Sequence, residues 1–159
     1  MVWQFDKQLK IGKQGERLLL KEWPNPVRRR YEDHTGVDFV DSYGTLIELK
    51  TDTHDPAATP NFFMERWSDV DNKRPGGPWQ ALEKGAQLLV YLYLPEDKTK
   101  FERKWFVCKA LESLTKRIED SAAILKPVRI PNKGWTTEGY LVPREWIKDL
   151  VKEGLPSVD

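Results

Sequence analysis

The chain has 159 residues, 39% of them hydrophobic and 32% charged, and its 26 basic and 25 acidic residues leave a net charge of +1. That is about one domain, long enough to bury roughly 70% of its unfolded surface without cross-links. One cysteine and two histidines exclude a disulfide framework and a cysteine-rich zinc site, and neither a secretory leader nor an apolar run near the ~20 residues of a spanning helix is present, so the expectation is a cytoplasmic, globular protein with no membrane partner.

The spacing predicts a first helix over residues 6–23, stopped by Pro24 and Pro26. Leu9, Gly12, Glu16, Leu20 and Trp23 are three or four apart and form one stripe along it. Strands follow at 27–31, 37–41 and 45–52, with Ser42-Tyr43-Gly44 as the hairpin loop between the last two. A further strand is expected near 62–67. Lys73-Arg74-Pro75-Gly76-Gly77-Pro78 is a loop inside the domain. Pro78 then opens a short helix over 79–84. Residues 87–94 read as a buried central strand, 105–109 as another, 111–119 as an amphipathic helix and 126–130 as a strand. Pro143 starts a final helix to residue 152. No internal repeat occurs, and the pattern is mixed α/β in a single domain over 1–159.

The informative segment is residues 37–50. Side chains alternate along a strand, so Glu48 and Lys50 share a face with Leu46, and Ile47 and Leu49 take the other. A hairpin centred on Tyr43 pairs residues whose numbers sum to 86. Asp38 then stands opposite Glu48, and Val40 opposite Leu46. Directly opposed side chains lie about 4.5–5.5 Å apart at Cβ. Two carboxylates that close repel unless a cation sits between them. Oxygen ligands without soft partners favour Mg²⁺ or Mn²⁺. The plain alternative is a solvated strand face.

Glu16 stands in the middle of the helix stripe. A carboxylate facing a core is costly unless paired or bound to a cation. Gly12 and Gly15 beside it each cost about 1 kcal/mol relative to alanine, which close backbone approach would explain. The alternative is a stripe-edge glutamate that reaches solvent.

Glu16 on the first helix, Asp38, and then Glu48-Leu49-Lys50 after nine intervening residues together resemble the PD-(D/E)XK nuclease superfamily. The phrases Gly36-Val37-Asp38-Phe39 and Ile47-Glu48-Leu49-Lys50-Thr51 are similar to its metal-binding hairpin. The nine-residue spacing is similar to that of phage Holliday-junction resolvases in the superfamily. The order helix, three strands, helix, strand over about residues 6–110 fits its core. Val37 stands where the family name places proline. Gln87-Leu88-Leu89-Val90-Tyr91 is similar to the Gln-x-x-x-Tyr phrase of RecB-like exonucleases, but that phrase belongs on a helix and here the residues read as a strand.

The resemblance implies a restriction-endonuclease-like α/β fold, a mixed central sheet flanked by helices. It also implies a metal-dependent nuclease acting on nucleic acid, with DNA the first expectation. Asp38 and Glu48 would ligate Mg²⁺ or Mn²⁺ with the carbonyl of Leu49, and Glu16 would bind a metal or its water. Lys50 would orient the attacking water or stabilise charge developing at phosphorus. The alternative function is a nucleic-acid-binding module of the same fold that does not cut. Recognition would rest on shape, a partner or a homodimer.

Other residues have simpler accounts. The basic clusters at 28–30, 73–74, 98–104 and 126–133 are each more simply solvated faces, though together they could supply phosphate contacts. Trp79 is expected in the core rather than stacked on a base, and Trp3, Trp23, Trp105 and Trp146 are expected to pack. Glu65 is expected in a surface ion pair near Arg66 rather than at the metal, and Gln80 and Lys84 on an exposed helix face. His34 and His54 lack partners at ligand spacing, and Cys108 is expected to be a small buried hydrophobe.

Overall fold

A computed structural model describes residues 2–30 and 36–157, with only the backbone of 2–6. Tyr31, His34 and the side chain of Trp3 therefore lie outside the described residues. Helix α1 (Val2–Glu22) ends just before Pro24, which cannot continue it. It is followed by β1 (Val27–Arg29), β2 (Phe39–Asp41) and β3 (Leu46–Asp52). Next come β4 (Asn61–Asp69), β5 (Arg74–Pro75) and α2 (Gly77–Glu83). Strands β6 (Leu88–Tyr93) and β7 (Lys104–Cys108) precede α3 (Leu111–Asp120) and α4 (Ala122–Leu125). The chain closes with β8 (Pro127–Pro131), β9 (Thr136–Pro143), a 3-10 turn (Arg144–Ile147) and β10 (Val151–Glu153).

These strands form two sheets. The main sheet has the order β1-β2-β3-β6-β7-β10, and the smaller one β5-β4-β9-β8. In the main sheet β3 and β6 are parallel and the other neighbours antiparallel. A parallel pair needs a long crossover, and here β4, β5 and α2 supply it. The start of β6 is docked on β3 through Gln87, whose Oε1 accepts from the N–H of Leu46 at 3.0 Å and whose own N–H donates to the Leu46 carbonyl at 2.9 Å.

Two hydrophobic layers enclose the main sheet. Leu19 of α1 and Trp23 just past its end pack on Phe39, Ile47, Leu49, Val90 and Val107. On the other face, Trp79 and Ala81 of α2, Leu114 and Ile118 of α3, and Phe62, Met64 and Val142 of the second sheet pack on Leu89, Tyr91 and Cys108. The architecture is mixed α/β, a mixed sheet flanked by helices. Every residue of β6 is buried, as the unbroken apolar run requires. No helix among the described residues is long and apolar enough to cross a membrane.

Four expectations need correction. First, the packed face of α1 is Gly15 and Leu19, continued by Trp23 just past its end, not the stripe through Leu9 and Leu20, which are 49% and 36% exposed. Second, no helix follows Pro143, because the chain makes one 3-10 turn and β10 then joins β7 at the sheet edge. Third, residues 136–143, where the sequence pattern predicts no strand, form β9 and pair with both β4 and β8. Fourth, Trp146 is 46% exposed rather than packed, whereas Trp23, Trp79 and Trp105 are buried.

The two helical glycines differ. A Cβ at Gly15 would run into the hydroxyl of Thr51 on β3 and meet its Cβ and Cγ2 at 3.1 Å, whereas nothing lies within 4 Å of one at Gly12. Gly15 is therefore where α1 presses on the sheet. Gly12→Ala is expected to stabilise by up to about 1 kcal/mol through helix propensity. Gly15→Ala is expected to lose stability overall, since overpacking costs about 1–3 kcal/mol. Urea unfolding of both variants measures the contrast.

Candidate functional site

The hairpin that carries the site is built by Asp41. Its buried carboxylate accepts the N–H groups of Tyr43 and Thr45, both at 3.0 Å, and Gly44 takes the left-handed conformation (φ 81°) that closes the turn. Val40 then stands opposite Leu46 and Phe39 opposite Ile47. That is the register expected from the sum of 86. Asp38 lies one residue beyond the paired stretch, and its Oδ2 accepts the N–H of Leu49 at 3.0 Å.

Asp38, Glu48, Leu49 and Lys50 line one open cavity of about 220 Å³ together with Gly12, Glu16, Thr51, Gln80 and Lys84. Three layers thus contribute: α1 brings Glu16, the hairpin the central group, and α2 with its C-cap brings Gln80 and Lys84. Glu48 is 3% exposed. Its Oε2 accepts from the Lys84 ammonium at 3.2 Å, and its buried Oε1 has no hydrogen-bond partner. Burial pushes its carboxyl from the usual 4.5 up to about 7, the neighbouring Asp38 carboxylate adds to the rise, and Lys84 and then Lys50 pull the other way.

Glu16 sits on the rim rather than in a buried stripe. Its side chain is 37% exposed and its Oε2 is 3.7 Å from the Arg29 guanidinium. Among the described residues, no group of three or more His, Cys, Asp or Glu is placed to hold a metal ion. The available ligands are the Asp38–Glu48 pair and neighbouring backbone oxygen. Mg²⁺ usually keeps several waters and takes only one or two protein carboxylates, so the pair is a sufficient set for it. The orphaned Oε1 is what a cation or its water would satisfy.

Two expected assignments change here. Lys84 is not on an exposed helix face: its side chain is 20% exposed and ion-paired to Glu48. The sequence places it on α2, but only the crossover from β3 to β6 shows that α2 faces Glu48. Glu65 makes no ion pair among the described residues. It packs on Gly76 and Gly77 and lines a neighbouring cavity that shares Lys50 and Thr51 with the first. Lys50 thus stands between the two cavities. His54 pairs with Asp52 at 2.6 Å, and Cys108 is fully buried. No protein-family model, curated protein or solved structure matches the chain.

Proposed function

We propose that the chain is a Mg²⁺- or Mn²⁺-dependent nuclease of restriction-endonuclease-like fold that hydrolyses phosphodiester bonds, DNA being the first substrate to test. The observation that carries this is Glu48: buried, beside Asp38 across the hairpin, with one oxygen unpartnered, and next to Lys50 at an open cavity. The element order supports the fold. Helix α1, the strands β1-β2-β3, then α2 and β6 follow the order that the resemblance implies, with β4 and β5 inserted before α2. On this reading the second sheet is an addition to that core.

Asp38 and Glu48 would hold the cation, with the Leu49 carbonyl as a further hard oxygen and Glu16 reaching its hydration from the rim. A divalent cation there supplies neutralisation of the scissile phosphate and a water of lowered pKa. Lys50 orients the attacking water or offsets charge on the phosphoryl oxygens. Water adds at phosphorus, the bridging P–O bond breaks, and the products are a phosphomonoester and a free hydroxyl.

A second reading has its own support. Lys84 and Arg29 already provide positive charge to Glu48 and Glu16, which is what a nucleic-acid-binding module that does not cut would retain. The deciding experiment incubates the purified protein with supercoiled, linear, single-stranded and four-way-junction DNA in Mg²⁺, Mn²⁺ or EDTA. Metal-dependent cleavage of any of them is expected. Binding without cleavage under all conditions would favour the module.

A further inference from the structure

The run Arg28-Arg29-Arg30 divides by strand parity. Arg28 pairs with Val40 and Arg29 with Phe39, while the N–H of Arg30 donates to the Asp38 carbonyl at 3.0 Å. Directly opposed residues share a face. With Val40 opposite Leu46 and Phe39 opposite Ile47, three rows cross β1, β2 and β3. Arg29–Phe39–Ile47 lies under α1. Arg28–Val40–Leu46 and Arg30–Asp38–Glu48 lie on the opposite face, that of the acid pair. The last row continues into buried Leu89 and Cys108. The row that carries the acid pair therefore starts, at the sheet edge, with an arginine.

The three guanidinium groups are used differently. Arg29 is half-buried and turned to Glu16. Arg28 and Arg30 are exposed, and their side chains make no hydrogen bond or ion pair among the described residues. Strands are spaced about 4.8 Å apart, which puts Arg30 one strand from Asp38 and about 10 Å from Glu48. Charges on an edge strand also discourage edge-to-edge pairing, but that role does not depend on which face they take. Here the two unengaged guanidinium groups share the face of the acid pair, and the engaged one does not. Arginine suits phosphate because its planar fork matches two oxygens at once.

We propose that Arg28 and Arg30 form a phosphate track along which a nucleic-acid strand crosses β1 and β2 to reach the Asp38–Glu48 cleft; this rests on the nuclease reading and names how that site takes its substrate. The test is binding in EDTA, which separates it from catalysis. Fluorescence anisotropy with labelled duplex DNA, single-stranded DNA and single-stranded RNA is followed over a salt series. The proteins are wild type, Arg28→Ala, Arg30→Ala, the double variant, and Lys116→Ala as an exposed basic residue of α3 outside the basic clusters. Each arginine variant is expected to reduce the slope of log K against log salt by about 1 and to weaken binding roughly tenfold at about 0.1 M salt. Lys116→Ala should match wild type. An unchanged melting point in the arginine variants checks that the fold is intact. If wild type binds and the double variant binds equally with the same slope, the track is wrong and the nuclease reading stands. An equal loss in Lys116→Ala would also overturn the track, since the effect would be diffuse charge. If wild type neither binds nor cuts any nucleic acid, the nuclease reading fails and takes the track with it.

Discussion

Replacing Asp38 by alanine, or Glu48 by glutamine, is expected to reduce metal-dependent cleavage to background. Each removes one of the two carboxylates proposed to hold the cation, out of the three that line the cavity. Glutamine is the better probe at position 48. It keeps the buried shape and resembles the protonated acid, whereas alanine would leave a void and strip Lys84 of its partner. Lys50→Ala should behave differently. Lys50 lies on the same strand face as Glu48 and borders both cavities, but its ammonium cannot bind a cation. Turnover should fall by about 10²–10³-fold, the scale for losing one group that stabilises developing charge. Metal affinity, read by calorimetry, should hold or tighten, because a positive charge has left. Glu16→Gln should be milder than either carboxylate change, since Glu16 is on the rim and shared with Arg29. Full activity in Glu48→Gln would remove the proposed site whatever the fold.

The hairpin was the most legible part of the sequence, and the reason is local. Ser42-Tyr43-Gly44 sets the turn, alternation sets the faces, and together they leave one register, which is the one found. The face of α1 was not legible because Leu18-Leu19-Leu20 offers three overlapping stripes of equal spacing. What selects Leu19 is tertiary: Gly15 lets the helix press on Thr51, and that rotation carries Leu20 and Leu9 outward. Glu16 consequently moves to the rim. The C-terminal segment misled for a similar reason. Pro143, Ile147 and Val151 have helical spacing, but the edge of β7 offers open backbone groups. Pairing of Val151 with Cys108, and the Gly154 N–H with the Trp105 carbonyl at 2.7 Å, takes the chain into the sheet. The sequence reading places no strand over β9. That strand carries Gly139, where a Cβ would stand 2.6 Å from the Phe63 ring and 2.7 Å from the Met64 carbonyl. The neighbours demand it. Lys84 was visible as a residue on α2, but its pairing with Glu48 depends on the crossover, which no local pattern encodes.

The melting temperature should depend on pH and divalent metal together, through Glu48. Its folded-state pKa of about 7 lies above the ordinary 4.5. Below about pH 4.5 the carboxyl is protonated in both folded and unfolded chains, and no penalty arises. Between about 4.5 and 7 the unfolded chain ionises while the folded one resists, so stability falls as pH rises, by a few kcal/mol in total. Above about 7 the curve flattens. On the proposed reading Mg²⁺ or Mn²⁺ should reverse the loss on the alkaline side, since a cation held by the folded pair and not by the unfolded chain stabilises the fold. At a concentration of about 100 times Kd the gain is about 2.7 kcal/mol, or roughly 5–10 °C for a chain of this size. Glu48→Gln should abolish both the pH slope and the metal increment, and at about pH 8 in EDTA it should melt above wild type. Asp38→Asn should also melt higher in EDTA and show a smaller increment, because it removes the repulsion together with a ligand charge. Lys84→Met should do the opposite: it takes away the cation that steadies Glu48 at 3.2 Å, so the alkaline loss deepens and the metal increment grows. Differential scanning fluorimetry across this pH range, in EDTA and in millimolar Mg²⁺ or Mn²⁺, reads all four proteins. A wild type that melts at one temperature with and without metal, and shows no fall between about pH 4.5 and 7, would mean that Glu48 and Asp38 carry no unresolved charge for a cation to neutralise.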